Sequence, residues 1–275
     1  MGSLRFAAHL GFPNPQQPLF GAAAGTTDPV RQIAFVAQHG LAGVLDPFSA
    51  MRSPEEQAQI GIAAADAGLA MGGFLYLPFD AFRTARWGSA DPDIRRELIV
   101  AIGKAIGIAK RLGSRHISVI SVADEELDRA TQYAAMAENL RFAGDLAARA
   151  GVTLCVEGLT AARLPHALLH GVEQSAQVVR KADHPSVRLL FDTAHCHASG
   201  EDVLEQAVRH WDIIEVVQLA DAPGRVEMGA GEVDFGGLFE ILRVRNYVAL
   251  HELEHGWAEP DAVRQLAYID GLRAW

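Results

Sequence analysis

Short apolar runs alternate with amphipathic stretches along the whole sequence. Eight apolar runs are predicted as β-strands, and each precedes a predicted helix, within 275 residues. This alternation favours a parallel sheet covered by helices. Eight units also fit a closed (β/α)8 TIM barrel, which typically takes about 250 residues, better than an open sheet. We therefore predict an α/β fold in which a single TIM barrel domain spans residues 1–275.

The predicted strands cover residues 5–11, 42–48, 69–77, 116–122, 152–159, 187–194, 213–220 and 247–254. Predicted helices begin at an N-cap residue followed by proline at Asp28-Pro29, Ser53-Pro54 and Asp91-Pro92, and another is predicted over 201–210. An open dinucleotide-binding sheet would carry a glycine-rich phosphate loop after its first strand. The sequence there is Gly-Phe-Pro-Asn-Pro, which cannot form that loop.

The composition is that of a globular protein, with 49% hydrophobic and 21% charged residues. The formal net charge of −10 is an unfavourable field for a nucleic-acid partner. No apolar run approaches the roughly 18 residues of a membrane span, and the N-terminus lacks a signal-peptide pattern. We therefore expect a cytoplasmic protein without a membrane or nucleic-acid partner. Cys155 and Cys196 fall in or beside predicted buried strands and are expected in the core.

Polar side chains stand at the ends of four successive predicted strands. They are Glu157, Asp192, Gln218 and Glu254, on the fifth to eighth strands. The active site of such a barrel lies at the carboxyl ends of its strands, and neighbouring strands are about 4.8 Å apart. Three carboxylates and one amide oxygen form an all-oxygen set that suits Mn²⁺ or Mg²⁺ better than zinc or copper. The pattern therefore predicts one divalent metal ion held by these four residues.

Two alternatives accompany this metal hypothesis. A carboxylate at a strand end is also a common N-cap for the following helix, although four in succession favour the metal. On the eighth strand, Glu252 and Glu254 share a face because side chains alternate along a strand. Glu254 lies nearer the open end and is the preferred ligand, with Glu252 as its alternative.

Two segments resemble a known family. Asp192-Thr193-Ala194-His195 is similar to the Asp-x-x-His motif at the sixth strand of xylose-isomerase-like TIM barrels. Residues 217–235 are similar to the hydroxypyruvate isomerase stretch Gln-(x)-Ala-Asp-x-Pro-Gly-Arg-x-Glu-Pro-Gly-Thr-Gly-Glu, with Met228 in place of proline and Ala230 in place of threonine. The resemblance is specific over residues 152–255 and architectural before them. It points to the hydroxypyruvate isomerase and ketose epimerase branch of that superfamily.

The resemblance implies roles for several of these residues. In that family the glutamates of the fifth and eighth strands, here Glu157 and Glu254, bind metal and exchange substrate protons. The ion would acidify a C–H beside a carbonyl and stabilise the enediolate, while one glutamate removes the proton and another returns it. His195 would hold a substrate oxygen or, alternatively, cap the next helix. Arg225 would clamp a carboxylate or a hydroxyl pair, or else lie in a solvated loop bonded to Asp221.

The implied activity is the isomerisation of a small hydroxy-keto acid or sugar, as from hydroxypyruvate to tartronate semialdehyde. A ketose 3-epimerase and an inositol-derived ketone dehydratase or isomerase remain alternatives. The endonuclease branch of the superfamily would need extra histidines and an Asp-x-His motif in the seventh loop, which residues 224–227 lack. A non-catalytic sugar-acid binder would not need a proton-transfer pair. We expect Glu232 to order the seventh loop, and a homodimer or homotetramer as the assembly.

Overall fold

The computed structural model describes residues 4–275, with the side chains of Phe79 and Arg83 left aside. The strands are β1 (Phe6–His9), β2 (Gly43–Leu45), β3 (Ala70–Met71), β4 (Phe74–Leu75), β5 (His116–Val119), β6 (Thr153–Val156), β7 (Val187–Asp192), β8 (Ile214–Leu219) and β9 (His251–Leu253). The α-helices are α1 (Gly21–Ala24), α2 (Pro29–Gln38), α3 (Pro54–Asp66), α4 (Pro92–Leu112), α5 (Arg129–Ala150), α6 (Gly171–Ala182), α7 (Thr193–Ala198), α8 (Val203–Arg209), α9 (Phe235–Val244) and α10 (Ala262–Leu272). Short 3-10 helices cover Ser49–Met51, Phe79–Thr84 and Trp211–Ile213.

The strands form one parallel sheet in the order β3-β2-β1-β9-β8-β7-β6-β5-β4. The two strands at the ends of this order, β3 and β4, are joined by only Gly72 and Gly73 and together make the third barrel strand. Leu75 N–H donates to Pro47 O on one side, and Tyr76 N–H donates to Ser118 O on the other. The third strand therefore contacts both of its neighbours and closes the sheet, which confirms the predicted (β/α)8 TIM barrel.

The interruption of the third strand was not predicted, since residues 69–77 were expected to form one strand. Its cause is Glu252, which projects into the barrel from β9. A Cβ atom at Gly72 would lie 2.5 Å from Glu252 Oε1, and Gly73 N–H donates to the same oxygen at 2.7 Å. Two glycines make room for the carboxylate, and the backbone bonds the side chain instead of continuing the ladder.

Most of the predicted strands are longer than the observed ones, and other boundaries differ as well. The strand predicted over 187–194 ends at Asp192 because this residue caps α7, which begins at once with Thr193. The helix predicted over 201–210 spans Val203–Arg209 behind its own cap, Asp202. The eighth barrel strand is shorter than 247–254 and covers His251–Leu253. The short helices α1 and α7 were not predicted.

The predicted N-cap residues of three helices and the predicted burial of both cysteines are confirmed. Asp28 and Asp91 cap α2 and α4, and Ser53 forms a reciprocal capping box with Glu56 at the start of α3. Cys155 and Cys196 are buried free thiols, as expected for small core residues. Over residues 4–275, none of the helices has the length and apolar character needed to cross a membrane.

Candidate active site

A small pocket opens at the carboxyl ends of the barrel strands, with about 450 Å³ of empty space that includes open solvent. Its floor and walls combine aromatic and aliphatic side chains with charged groups. The lining residues are Phe12, Pro47, Phe48, Gly73, Phe74, Leu75, Ser118, Ile120, Glu157, Leu159, Arg163, His195, Gln218, Arg225 and Glu254. Five of the sequence-predicted site residues therefore face one cavity, and Asp192 lies directly behind it, bonded to Arg225.

The four predicted metal ligands lie at the same edge of the sheet. Glu157 follows β6, Asp192 ends β7, Gln218 is in β8 and Glu254 follows β9. Parallel pairing places Asp192 opposite Gln218, and Glu254 N–H donates to Leu219 O on β8. All four are buried, with at most 8% of any residue exposed. Charged carboxylates at this depth require compensating partners.

The compensating cation is the Arg225 guanidinium. Its Nη1 and Nη2 donate to the two carboxylate oxygens of Asp192 at 3.1 and 2.7 Å, and Nη2 also lies 2.5 Å from Glu254 Oε2. The Arg225 side chain is 15% exposed. The alternative that Arg225 is solvated and bonded to Asp221 is therefore wrong: Arg225 joins the ends of β7 and β9 inside the pocket.

Asp221 instead organises the loop that carries Arg225. Its carboxylate accepts hydrogen bonds from the backbone N–H groups of Ala222, Gly229, Gly231 and Val233. Glu232 was expected to order this loop, but its side chain is 73% exposed and lies 3.7 Å from His197. That expectation is wrong because an acceptor that gathers backbone donors must sit inside the loop.

His195 belongs to α7 and lines the pocket. Thr160 N–H donates to His195 Nδ1 at 3.4 Å, which makes Nδ1 an acceptor and leaves the proton on Nε2, 3.8 Å from Glu157 Oε1. Burial lowers the pKa of His195 to about 4, so the ring is neutral at pH 7. The backbone N–H of His195 donates to Asp192 Oδ1. Asp192 is therefore both the cap of α7 and a partner of Arg225.

Burial and neighbouring charges separate the pKa values of the three carboxyl groups. Burial, then Glu254 and Asp192, raise the pKa of Glu157 well above its usual value. Burial also raises the pKa of Glu254, to about 7, against the opposing effect of Arg225. For Asp192, burial is outweighed by Arg225 and His195, and its pKa falls below the usual value. Carboxyl groups tuned apart in one pocket are the arrangement used for general acid and base chemistry.

Glu252 and Glu254 occupy different levels of the barrel. Glu252 is 1% exposed and accepts from Gly73 N–H and from Gln218 Nε2, at 2.7 and 3.1 Å. Gln218 Nε2 is also 3.4 Å from Glu254 Oε1. Glu254 lines the pocket, whereas Glu252 lies among its supporting contacts. The geometry favours Glu254 over Glu252 as the residue that meets a bound group.

The donor set fits a hard cation. The ligand atoms of Glu157, Asp192 and His195 lie within 4.8 Å of one another, and all three residues are buried. Gln218 Oε1 is buried and accepts no hydrogen bond, because the amide N–H groups are already directed to the two glutamates. An unpaired buried acceptor beside clustered carboxylates can be satisfied by a metal ion. These side chains therefore form a candidate metal site.

Phe12 and Arg163, which were not predicted as site residues, form one wall of the pocket. The guanidinium carbons of Arg163 and Arg225 lie 5.3 and 5.1 Å from the centroid of the Phe12 ring. Phe12 follows the first strand and Arg163 lies six residues after Glu157, so both belong to loops at the carboxyl edge. Hydrophobic periodicity identifies strands and helices, but it gives no indication that a basic residue in a loop belongs to a site.

Comparison with known proteins identifies relatives by sequence and by fold. A family model described as "Xylose isomerase-like TIM barrel" matches residues 33–272. The 2-oxo-tetronate isomerase of Cupriavidus necator is 28% identical over 66% of this chain and 70% of its own length. The hydroxypyruvate isomerase of Escherichia coli is 24% identical over 66% of this chain and 68% of its own. The crystal structure of AP endonuclease, family 2 from Brucella melitensis superposes with a TM-score of 0.83 at 23% identity, covering 98% of this chain and 99% of that one, and its likeness concerns the fold alone.

Proposed function

Because the chain belongs to the xylose isomerase-like TIM barrel family, we propose that it is a metal-dependent isomerase of a small hydroxy-carbonyl compound, of the hydroxypyruvate isomerase type. The observation that carries this proposal is the pair of buried glutamates, Glu157 and Glu254, facing one pocket beside the Asp192–Arg225 ion pair. The relatives named as isomerases support the reaction type. The hydroxypyruvate-to-tartronate-semialdehyde reaction fits the small, charged pocket.

One Mn²⁺ or Mg²⁺ ion is the proposed cofactor, held by Glu157, Asp192, Gln218 and Glu254. Support comes from the unpaired Gln218 Oε1 and from the carboxylates of Glu157 and Asp192, whose oxygens lie within 4.8 Å of each other and of a His195 ring nitrogen. When bound, such an ion supplies Lewis-acid polarisation of a substrate carbonyl and its neighbouring hydroxyl. The protein must supply the proton transfers, the orientation of the substrate and the exclusion of water.

Glu157 and Glu254 are the proposed proton-transfer residues. A carboxyl group whose pKa lies near neutrality can accept a proton from carbon and return it without a large energetic mismatch, and burial brings Glu254 to about 7. If one glutamate removes the α-proton and the other returns a proton to the adjacent carbon, the product is an isomer. Return to the same carbon from the opposite face would give an epimer, the alternative for a ketose substrate.

His195 and Arg225 are the proposed substrate-binding residues. The neutral His195 ring presents Nε2–H as a donor because Thr160 N–H fixes the acceptor role of Nδ1. Arg225 holds Asp192 and Glu254 in place and has the charge to stabilise a developing enediolate. The aromatic walls, Phe48 and Phe74 among them, exclude water from the reacting atoms.

The decisive experiment measures exchange of the substrate α-proton. The protein, loaded with Mn²⁺ or Mg²⁺, is incubated with hydroxypyruvate in D₂O, and deuterium incorporation and product formation are followed by NMR. We expect exchange and tartronate semialdehyde with the wild type, and loss of exchange in Glu157→Gln and Glu254→Gln. Glu232→Gln, which removes an exposed carboxylate from the loop that carries Arg225, should behave as wild type.

Full exchange in both glutamine variants would overturn the assignment of the two glutamates. With ketose substrates, α-proton exchange that inverts the configuration at that carbon, while the carbonyl stays in place, would indicate epimerisation instead of isomerisation. Anomalous scattering from crystals grown with Mn²⁺ locates the metal: one ion among the four ligands supports the proposal. Two or three ions would instead favour the phosphodiesterase chemistry of the endonuclease branch.

A further inference from the structure

The lining of the pocket differs between the two sides of the barrel. Strands β6 to β9 are consecutive neighbours in the sheet, and β1 to β5 make the opposite side. On the β6–β9 side, the lining residues belong to these strands or to the segments that follow them. All but Leu159 are polar or charged, and they are Glu157, Arg163, His195, Gln218, Arg225 and Glu254. We call this side the polar half of the pocket.

The opposite side, the apolar half, is lined by rings and aliphatic groups from β1–β5 and the loops after them. Its described side chains, apart from Ser118, are Phe12, Pro47, Phe48, Phe74, Leu75 and Ile120. Ser118 pairs with Cys155, two residues before Glu157, and therefore lies one level deeper in the barrel than Glu157. A substituent at the level of Glu157 that faces this side meets carbon atoms.

The apolar half disfavours hydroxyl groups and favours alkyl groups. A hydroxyl group that moves from water to this wall loses hydrogen bonds that the wall side chains do not replace. A methyl group in the same place is stabilised by leaving water. A carboxylate would lose more than a hydroxyl group. The carboxylate of a substrate therefore belongs in the polar half, where Arg225 and the proposed divalent ion supply positive charge.

We propose that the pocket selects a 3-hydroxy-2-oxo acid whose hydroxyl-bearing carbon carries either no substituent or a short alkyl group. The inference rests on the proposed isomerase function and deepens it by naming the substrate class. In such an acid the carboxylate and the C3 substituent are at opposite ends of the two reacting carbons. With the carboxylate in the polar half, the C3 substituent is directed towards the apolar half. Hydroxypyruvate has no such substituent, and 3-hydroxy-2-oxopentanoate has an ethyl group.

The reaction of an alkyl-substituted acid needs no co-reactant. One proton leaves C3 and one proton is added to C2, while the C2 carbonyl becomes a hydroxyl group and the C3 hydroxyl becomes the carbonyl. 3-Hydroxy-2-oxopentanoate thereby gives its isomer 2-hydroxy-3-oxopentanoate, with no net oxidation or reduction. Glu157 and Glu254 keep the proton-transfer roles proposed above, and the alkyl group takes no part in bond making or breaking.

Two acids that differ in one group test the wall separately from the chemistry. 3-Hydroxy-2-oxopentanoate and 3,4-dihydroxy-2-oxobutanoate, with the same configuration at C3, differ only in a terminal methyl or hydroxyl group. The protein, loaded with Mn²⁺ or Mg²⁺, is incubated with each acid in D₂O, and loss of the C3 proton and product formation are followed by NMR. We expect kcat/KM to be about tenfold to hundredfold higher for the methyl compound, the range in which a hydrophobic pocket discriminates single groups.

Phe48 is the wall residue best suited to substitution. It is buried but lies outside the main hydrophobic core, to which Phe74 belongs. Phe48→Asn places an amide in the wall, and we expect the preference for the methyl compound to fall about tenfold. Phe48→Leu keeps the wall apolar and should retain the preference. Phe142→Asn makes the same change on the half-exposed face of α5 and should leave the preference as in the wild type. The ratio of two substrates within one variant is independent of its folded fraction and its metal loading.

The outcomes distinguish this inference from the isomerase proposal. An active wild type that prefers the dihydroxy acid, or that converts both acids equally well, overturns the inference and leaves the isomerase intact. An unchanged preference in Phe48→Asn overturns the assignment of the wall to Phe48. A wild type that exchanges no proton from these acids or from hydroxypyruvate overturns the isomerase proposal. Calorimetric titration with 2-hydroxybutanoate and glycerate, which carry the same methyl or hydroxyl difference and cannot isomerise, then tests the wall alone. Tighter binding of 2-hydroxybutanoate supports the apolar half as a binding surface, and equal or weaker binding overturns it.

Discussion

Replacement of Arg225 by methionine tests whether one guanidinium compensates the buried carboxylates. Methionine keeps much of the side-chain volume but removes the cation that bridges Asp192 and Glu254. The side chains of these two acids are 1% and 11% exposed, so water cannot replace the lost partner. Removing one partner of a buried ion pair typically costs about 3–5 kcal/mol. Because two carboxylates share this guanidinium, we expect the free energy of unfolding to fall by an amount within that range.

The assay is urea unfolding at pH 7 in EDTA, with the midpoint and slope measured together. The control is Arg180→Met, which breaks the Arg180–Asp212 pair on the surface, where both side chains are about half exposed. Exposed pairs of this kind contribute about 0–1 kcal/mol. An Arg225→Met variant that loses no more stability than this control would refute the claim that Arg225 carries the charge balance of the site.

The same variant has a defined dependence on pH and on metal. The folded-state pKa of Asp192 lies below its unfolded value, so the stability that Arg225 confers through it is present at neutral pH and lost as pH falls through that folded pKa. The difference between wild type and variant should therefore shrink in acid. Mn²⁺ at a hundredfold excess over its Kd should restore about 2.7 kcal/mol to the variant if the ion binds these carboxylates. Destabilisation that Mn²⁺ leaves unchanged would contradict the proposed metal site.

Three other substitutions test the metal site, the dependence of stability on pH, and the loop that carries Arg225. Glu252→Gln should weaken Mn²⁺ binding about tenfold to hundredfold, because the variant no longer fixes the amide orientation of Gln218; an unchanged titration would contradict this. His251 has a pKa lowered by burial to about 4, so unfolded chains bind more protons between pH 6.5 and 4 and stability falls as pH drops through this window. His251→Phe should reduce that acid loss by up to about 3 kcal/mol in denaturant unfolding, and equal pH slopes would count against the assignment. Asp221→Ala should expose the backbone amides of the Arg225 loop to hydrogen exchange and lower kcat, whereas retained protection would show that other contacts hold the loop.

The parts of the fold that were predictable depend on local patterns. Apolar runs mark the strands, and cap residues such as Ser53 mark helix starts, because both signals act within a few residues of sequence. The break at Gly72-Gly73 has no local cause: it follows from Glu252, which is 180 positions away along the chain but adjacent across the barrel. A contact between distant residues is invisible to periodicity.

In the candidate site, too, the features with a local sequence signal were predictable, and those that depend on contacts between distant residues were not. The strand-end carboxylates were predictable because each ends an apolar run. The partners of Arg225 were not, since a loop arginine has many acids within reach and only the folded loop selects among them. Asp221 makes that selection. Its carboxylate accepts hydrogen bonds from backbone N–H groups of the loop, which fixes the loop and directs Arg225 into the pocket. The position of the half-buried Arg163 against Phe12 likewise arises from two loops meeting at one edge of the sheet.

The alternation of side chains along the last strand explains why Glu252 and Glu254 have different contacts in the barrel interior. Glu252 and Glu254 point to the same face two residues apart, and therefore at successive levels of the interior. At the lower level, Glu252 binds Gly73 N–H and one edge of the Gln218 amide. At the upper level, Glu254 meets Arg225 and the pocket, with Gln218 Oε1 left unpaired. Gln218 Nε2 donates to both Glu252 and Glu254, and this fixes the orientation of the amide and therefore of its oxygen. The buried Glu252 carboxylate therefore determines which atom of the Gln218 amide faces the pocket.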